Sequence, residues 1–211
     1  MRLRTRTLGS LSLFLILIVI CFFGLSRISY ATEQVSIPTA ELPLVVTPCG
    51  QSPGALMIDV LCKRIKLPCS RVDMLTAEDL KSKADQGKGY KTLIIITGTS
   101  LKGMGAAGVD IDVELSRIKA IIQEAKKENI LIIGAHIEGM ARRVDEMDAA
   151  SIDTVIPESD VIIVRADSNE DGYFTKLSKE HSIPLLTAQE TLDVSSLLKE
   201  LFHIEEGGSA S

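Results

Sequence analysis

The chain has 211 residues, with 23 Lys and Arg against 28 Asp and Glu, and its formal net charge at pH 7 is −5. This acidic balance argues against a nucleic-acid-binding protein, because phosphate contacts require clustered Lys and Arg side chains. The sequence also contains no tryptophan, which argues against an extended surface for stacking sugar rings.

The first 31 residues have the pattern of an export signal. Three arginines give a positively charged start: Arg2, Arg4 and Arg6. Residues 11–25 are almost entirely apolar, and the small side chains of Ser29 and Ala31 fit a cleavage site after residue 31. The alternative is an uncleaved membrane anchor, because the apolar run at 8–25 can just span a bilayer. In either case we expect the folded part to be exported, to the periplasm or the cell exterior.

After a polar linker at 32–42, apolar segments and helical patterns alternate up to residue 204, and we expect 205–211 to be disordered. Strand-like segments occur at 44–47, 70–74, 92–97, 130–135, 161–165 and 184–187. Helices are predicted between and after them, at 54–65, 76–85, 111–125, 144–154, 172–181 and 193–203. The helix at 111–125 carries an apolar stripe at helical spacing, and Asp110 is placed to cap its first turn.

This alternation predicts a single doubly wound α/β domain over residues 43–204, a flavodoxin-like or Rossmann-like sandwich of three layers. The segments 92–97, 130–135 and 161–165 are almost continuously apolar, as expected for mainly parallel strands that helices cover on both faces. We expect five or six strands in the order 2-1-3-4-5, with the last strand at the edge. Such sheets bind ligands at the carboxyl ends of their strands, near the point where the strand order reverses.

One loop at that edge, residues 97–110, contains glycines from Gly103 to Gly108 in G-x-G-x-x-G spacing. A dinucleotide site is disfavoured, because the motif begins well after its strand and has no matching acid about 20 residues later. We predict instead an anion cradle, in which the N–H groups of Gly103 and Gly105 converge with Lys102 on a carboxylate or phosphate. A long flexible connection without a ligand is the alternative.

The loop after the first strand supplies candidates for catalysis. Ser52 is predicted to cap the next helix, and Gln51 beside it is predicted to contact a ligand. Cys49 lies near a helix start, which favours a thiolate, and His136 is the histidine placed at the carboxyl end of a predicted strand. Cys49 and His136 are therefore the candidate nucleophile and base, and Asp171 is a further catalytic candidate. Whether the protein is an enzyme stays open.

The loop after the fifth predicted strand matches the start of a calcium-binding loop. Asp167, Asn169 and Asp171 would supply side-chain oxygens, and Tyr173 a carbonyl oxygen. The acid expected at the twelfth position is replaced by Ser178. An Asx turn that begins the next helix is one alternative, and polar contacts from Asn169 and Asp171 to a ligand are another. No other cofactor is expected.

Two arginines, Arg142 and Arg143, follow the predicted strand at 130–135. On an acidic domain such a pair is a candidate clamp for a carboxylate or a phosphate. A solvated helix start is the alternative.

Two cysteines, Cys62 and Cys69, lie close together in the sequence. They could form a disulfide in an oxidising compartment, tying the end of a helix to the start of a strand. The alternative is two buried apolar thiols, since the geometry that a disulfide needs is not visible in a sequence.

Three segments are distinctive in combination: GQSPGALM at 50–57, KGMGAAGVD at 102–110 and NEDGYFT at 169–175. Together they resemble a bacterial family of exported proteins that is catalogued only as a domain of unknown function. The resemblance covers about residues 44–202. It implies the α/β fold and the export, and it implies no activity.

The sequence thus predicts an exported protein that binds a small polar or anionic ligand at the carboxyl ends of the strands. The predicted contacts are Gln51, Ser52, Lys102, Gly103, Gly105, Arg142, Asn169 and Asp171. One alternative is a hydrolase or transferase that uses the same cleft, and another is a module that binds an envelope protein. We expect no nucleic-acid partner, and membrane contact only through an uncleaved N-terminal segment.

Overall fold

The computed structural model describes residues 36–204. Within that range the strands are β1 (Leu44–Pro48), β2 (Cys69–Arg71), β3 (Thr92–Ile96), β4 (Leu131–His136), β5 (Val161–Arg165) and β6 (Leu185–Ala188). The helices are α1 (Gly54–Arg64), α2 (Ala77–Asp85), α3 (Leu101–Ala107), α4 (Ile111–Lys127), α5 (Glu146–Val155), α6 (Tyr173–His181) and α7 (Val194–Leu201). Short 3-10 turns occupy Gly139–Arg142, Ile156–Glu158, Ala166–Asn169 and Thr191–Asp193.

All six strands are parallel and lie in the order β2-β1-β3-β4-β5-β6, which confirms the predicted doubly wound sheet. The chain leaves β1 toward β2 on one side and then crosses back to β3 on the other side of β1. The strand order therefore reverses between β1 and β3, and the loops after these two strands diverge at that point.

Both faces of the sheet are buried, which explains why its strands are apolar at successive positions. Val46, Ile94 and Ile133 belong to a core cluster shared with α1 and α7. Their neighbours Val45 and Leu93 belong to a second cluster, which packs against α4 on the opposite face. Side chains of a strand alternate between its faces, so a strand covered on both sides needs apolar residues throughout.

Side chains cap the starts of two helices, and the predicted Asp110 cap is confirmed. Thr76 and Asp79 form a reciprocal capping box at the start of α2. The Asp110 side chain accepts a hydrogen bond from the Val113 N–H at 2.9 Å at the start of α4. Both helices therefore begin where the local sequence satisfies their first free N–H groups.

The glycine-rich segment predicted as a loop is helical instead. Residues 101–107 form α3, which begins after Ser100 and ends at Gly108 in the left-handed conformation, φ 70°. Ser100 accepts a hydrogen bond from the first turn, and Gly108 adopts the backbone angle of a helix end without steric cost. These two flanking residues outweigh the low helix propensity of the glycines between them.

The predicted export signal at 1–31 and the predicted tail at 205–211 lie outside the described residues. Among residues 36–204, no helix has the length and apolar character needed to cross a membrane. The end of the predicted linker is packed onto the domain, since Ala40 is buried and its N–H donates to the Leu201 carbonyl at 2.9 Å. The folded domain thus begins a few residues before the predicted boundary at 43.

Candidate functional site

The loops after β1 and β3 are joined by backbone contacts where the strand order reverses. Ser100 N–H donates to the Gly50 carbonyl at 2.8 Å, and Gln51 and Thr99 form an antiparallel bridge. Helix α3 lies directly against the first loop, because a Cβ added at Gly103 would stand 2.0 Å from the Gln51 carbonyl oxygen. The two loops therefore form one connected structure at the carboxyl edge.

The glycines of the predicted anion cradle do not form a loop around an anion, because they lie inside α3. The Gly103 N–H donates to Ser100 Oγ at 3.1 Å as part of the helix cap. Lys102 is exposed on the same helix, and the space next to Gly105 is open. Close backbone packing explains Gly103, and Lys102 stays a predicted ligand contact.

A buried carboxylate on α4, Glu114, holds the loop after β1. It accepts hydrogen bonds from the Gly50 N–H and from the Gln51 side-chain amide, both at 2.9 Å. It also pairs with Arg117 at 2.7 Å, and Arg117 donates to the Pro48 carbonyl at 2.7 Å. Sequence reasoning missed this group, although its spacing of three residues from Arg117 is typical of a helical ion pair.

Two side chains of α5 hold the loop after β3 in the same way. The Gly98 N–H donates to Ser151 Oγ at 2.8 Å. The Thr99 N–H and hydroxyl both donate to Asp148 Oδ1, at 2.8 and 2.7 Å. Asp148 is almost fully buried, so its charge is compensated mainly by loop donors. The carboxyl edge is therefore held rigidly by side chains from the helices around it.

The predicted clamp residue Arg142 is engaged within the protein. Its Nη1 donates to the Thr99 carbonyl at 2.6 Å, and its Nε donates to Glu138 at 3.3 Å. Glu138 in turn accepts the Gly54 N–H at 2.9 Å. A carboxylate thus occupies the positive end of α1, and Arg142 links it to the loop after β3.

The acids of the predicted calcium loop face arginines. Asp167 pairs with Arg165, and Asp171 pairs with Arg143 through both carboxylate oxygens. Each arginine holds the pKa of its partner carboxyl at about 2 through these hydrogen bonds. The Asn169 side-chain amide donates to the Thr175 hydroxyl and accepts from the Thr175 N–H. The Tyr173 hydroxyl contacts Asp153. Within residues 36–204, no group of three or more His, Cys, Asp or Glu could hold a metal ion.

The candidate pair Cys49 and His136 is not brought together. Cys49 follows β1 and His136 is the last residue of β4, and β3 lies between these two strands. The Cys49 thiol is fully buried, and this burial raises its pKa. His136 Nδ1 lies 2.9 Å from Thr97 Oγ1, and Nε2 lies 3.2 Å from the Gly139 carbonyl. A carbonyl only accepts, so Nε2 carries the proton and Nδ1 accepts from Thr97.

His136 makes the stability of the domain depend on pH. Burial lowers its pKa from 6.5 to about 4, so the folded protein favours the neutral ring. The contribution of the neutral His136 ring to the free energy of unfolding is fully present above the unfolded-state pKa of about 6.5. It is lost progressively as the pH falls from there through the folded-state pKa. We expect the free energy of unfolding, measured with urea, to fall by about 2 kcal/mol between pH 7 and pH 5. In His136→Gln this decrease should shrink, and an unchanged decrease would assign the effect to other groups.

Ser52 does not cap α1 as predicted. Pro53 is the N-cap residue and makes no side-chain bond, and Glu138 accepts the first N–H instead. The Ser52 side chain is buried, with 5% of the residue exposed, and its hydroxyl has no hydrogen-bond partner among the described residues. Ser52 is thus a buried polar group whose bonding capacity the fold leaves unused.

A groove lies between α1 and the turn at Thr191–Asp193. Its volume is about 410 Å³, and it is lined by Pro53, Leu56, Met57, Val60, Leu61, Thr191 and Leu192. A second groove of about 530 Å³ lies between α4 and α5, away from the loops that the sequence had indicated. The lining of the first groove includes Pro53, the residue that follows the predicted ligand contact Ser52.

The sheet order and the polar carboxyl edge define a doubly wound α/β domain with a candidate binding site at its switch point. Residues 41–202 match the family described as Domain of unknown function (DUF6305), and the chain belongs to that family. A comparison of the sequence with curated proteins found no match. The predicted membership of a domain-of-unknown-function family is thereby confirmed, and the export of its members stays a prediction.

Several solved structures are similar to the chain in fold. A de novo designed Rossmann 2x3 protein is 10% identical with a TM-score of 0.37, over 81% of this chain and 95% of the designed one. The psychrotrophic esterase EstA from Pseudoalteromonas sp. is 9% identical with a TM-score of 0.31, over 75% of this chain and 94% of the esterase. A GDSL-like lipase from Bacteroides thetaiotaomicron is 10% identical with a TM-score of 0.33, over 68% of this chain and 66% of the lipase. Such values carry no argument about activity.

Proposed function

We propose that this protein binds a small molecule with a polar or anionic group at the carboxyl edge of the sheet, beside the start of α1. The proposal depends on one observation, the buried hydroxyl of Ser52 without a partner among the described residues. An unsatisfied buried polar group costs about 1–3 kcal/mol. A ligand atom that hydrogen-bonds to this hydroxyl recovers that free energy, which favours binding.

The adjoining groove indicates what the rest of the ligand looks like. Its volume of about 410 Å³ lies within the usual range for small-molecule sites, roughly 300–1,000 Å³. Leu56, Val60 and Leu192 line it and are exposed, so water contacts their apolar surface in the unliganded protein. The ligand that fits therefore has an apolar body in the groove and a polar group near Ser52.

The start of α1 favours an anion as that polar group. Helix N-termini attract negative charge, and Glu138 already places a carboxylate against the Gly54 N–H. Arg142 lies beside this carboxylate and leaves 29% of its side chain exposed. A ligand anion would share this positive region with Glu138, so Glu138 would oppose its binding.

The alternative of a hydrolase or transferase has less support. Its candidate groups are Cys49, His136 and Asp171, of which the first two are buried and the third is paired with an arginine. No nucleophile and base among these three contact each other. Catalysis by these groups would require the carboxyl edge to rearrange.

Thermal unfolding with hexanoate, hexanol and phosphate tests the proposal. At about 100-fold excess over Kd, a ligand should raise the Tm by roughly 5–11 °C. We expect hexanoate to give the largest shift and Ser52→Ala to remove most of it. Glu138→Gln should tighten hexanoate binding several-fold, roughly 1 kcal/mol, and leave hexanol unchanged, because it removes only a like charge.

The matched control is Ser116→Ala, since the Ser116 hydroxyl is exposed on α4 and bonds only to its own helix. This variant should keep the full hexanoate shift. Equal binding by Ser52→Ala and the unchanged protein would overturn the proposal, as would a panel without any shift. A panel without any shift would favour a module that binds another protein. Leu101 and Val144 at the same edge are 71% and 73% exposed, which such a module would use.

A further inference from the structure

Two thiols outside the candidate site meet where α1 ends and the edge strand β2 begins. Cys62 lies in the last turns of α1 and is buried, and Cys69 is the first residue of β2 and is partly exposed. The connection between them is tight, since the Leu67 N–H donates back to the Cys62 carbonyl at 2.9 Å. Cys69 packs against the core cluster that contains Cys62.

The Cys62 thiol is held in its protonated form. A side-chain contact with Cys69 is the largest cause that raises its pKa, and burial adds to the effect. Its neighbour Cys69 is the less buried of the two residues. The pair is therefore asymmetric, with a partly exposed cysteine in contact with a buried one.

We propose that Cys62 and Cys69 form a redox couple, in which the Cys69 thiolate attacks a disulfide reagent and Cys62 then closes an intramolecular disulfide. Strand β2 has only three residues and one neighbouring strand, β1. A covalent bond from Cys69 to α1 therefore fastens the shortest strand of the sheet to the core, which gives the oxidised form a clear structural consequence.

The exchange balances as follows when the oxidant is a disulfide R–S–S–R such as oxidised glutathione. The Cys69 thiolate forms a bond to one sulfur of the reagent and expels RS⁻, which takes up the proton that Cys69 released. Cys62 then gives its proton to the second leaving thiolate and bonds to the Cys69 sulfur. The two cysteines are oxidised, the reagent is reduced, and two R–SH molecules leave.

Peptide mapping of the full chain after incubation with oxidised glutathione tests the couple. Lys63, Arg64 and Lys66 lie between the two cysteines, so trypsin separates them unless a disulfide joins the fragments. Cys49 shares its tryptic fragment with Cys62, so sequencing of the joined fragments by mass spectrometry identifies which of the two is bonded to Cys69. We expect joined fragments and a Tm higher by roughly 5–10 °C than that of the reduced protein. Fragments that both stay free to alkylation would overturn the proposal.

Two serine variants test the order of the steps. In Cys62→Ser we expect glutathione to stay attached to Cys69, because the resolving thiol is missing. In Cys69→Ser we expect Cys62 to stay unmodified in the folded protein, as should the fully buried Cys49. Equal modification of both variants would overturn Cys69 as the point of attack. If a variant does not fold, competing alkylation of the unchanged protein gives the same comparison.

Discussion

Replacing Glu114 with alanine is expected to lower the free energy of unfolding by about 3–5 kcal/mol. The carboxylate is fully buried, and its partner Arg117 leaves only 9% of its side chain exposed. The alanine variant would keep a buried guanidinium without its counter-charge and a Gly50 N–H without its acceptor. Urea unfolding at pH 7, followed by circular dichroism, measures the loss.

Glu124→Ala is the matched control for this prediction. It removes the same side chain from the same helix, where the acid is 12% exposed and pairs with Lys127, which is 69% exposed. An ion pair whose cation lies in solvent contributes about 0–1 kcal/mol, so the control should lose much less than Glu114→Ala. Equal losses for the two variants would mean that the bonds of Glu114 to Arg117 and to the loop contribute no more than a solvent-facing ion pair, and that the loop does not depend on Glu114.

Glu114→Gln separates the charge from the hydrogen bonds. Glutamine keeps an acceptor for the Gly50 N–H but leaves Arg117 without a negative partner. We therefore expect Glu114→Gln to lose less free energy of unfolding than Glu114→Ala and more than the Glu124→Ala control. The ordering of the three variants is the observation that decides whether the buried carboxylate organises the loop after β1.

The sheet could be predicted because its determinants are local and repeated. Segments such as 92–96 and 161–165 are apolar on both faces, which a parallel strand between two helical layers requires. Helix starts were equally visible, since Thr76 and Asp110 satisfy N–H groups only three residues away. The handedness of the crossovers then leaves few strand orders for such an alternation.

The arrangement of the carboxyl edge could not be predicted, because its determinants are distant and appear ordinary in the sequence. Glu114 and Gly50 are 64 positions apart, and Thr99 and Asp148 are 49 apart. A carboxylate on a helix has the same sequence pattern whether it faces water or a loop. Arg142 and Asp171 were therefore predicted as ligand contacts, although partners inside the protein engage both.

The glycines of α3 illustrate the same difficulty on a smaller scale. Their spacing resembles a phosphate-binding motif, but a motif does not say which glycine is needed and for what reason. The structure distinguishes them: Gly103 faces the Gln51 carbonyl, and Gly105 faces open space. One substitution at two positions of one short helix can therefore separate backbone packing from helix propensity.

We expect Gly103→Ala to destabilise the domain by about 3 kcal/mol and Gly105→Ala to stabilise it by up to about 1 kcal/mol. A Cβ at Gly103 would stand 2.0 Å from a backbone oxygen that cannot turn away, so α3 or the loop after β1 must move. At Gly105 the same methyl group meets nothing within 4 Å, and alanine is the better helix former. Urea unfolding of both variants measures the difference.

The signs of the two stability changes distinguish three explanations of the glycine-rich segment. If both variants are stabilised, α3 does not rest on the loop after β1, and the carboxyl edge is looser than its hydrogen bonds indicate. If both variants are destabilised, the hypothesis that an anion or a partner needs both glycines regains support. Packing within the domain does not account for a loss at Gly105, because a methyl group there contacts nothing. Opposite signs mean that the glycine-rich segment serves the contact between α3 and the Gln51 backbone, which positions Ser52 beside the groove.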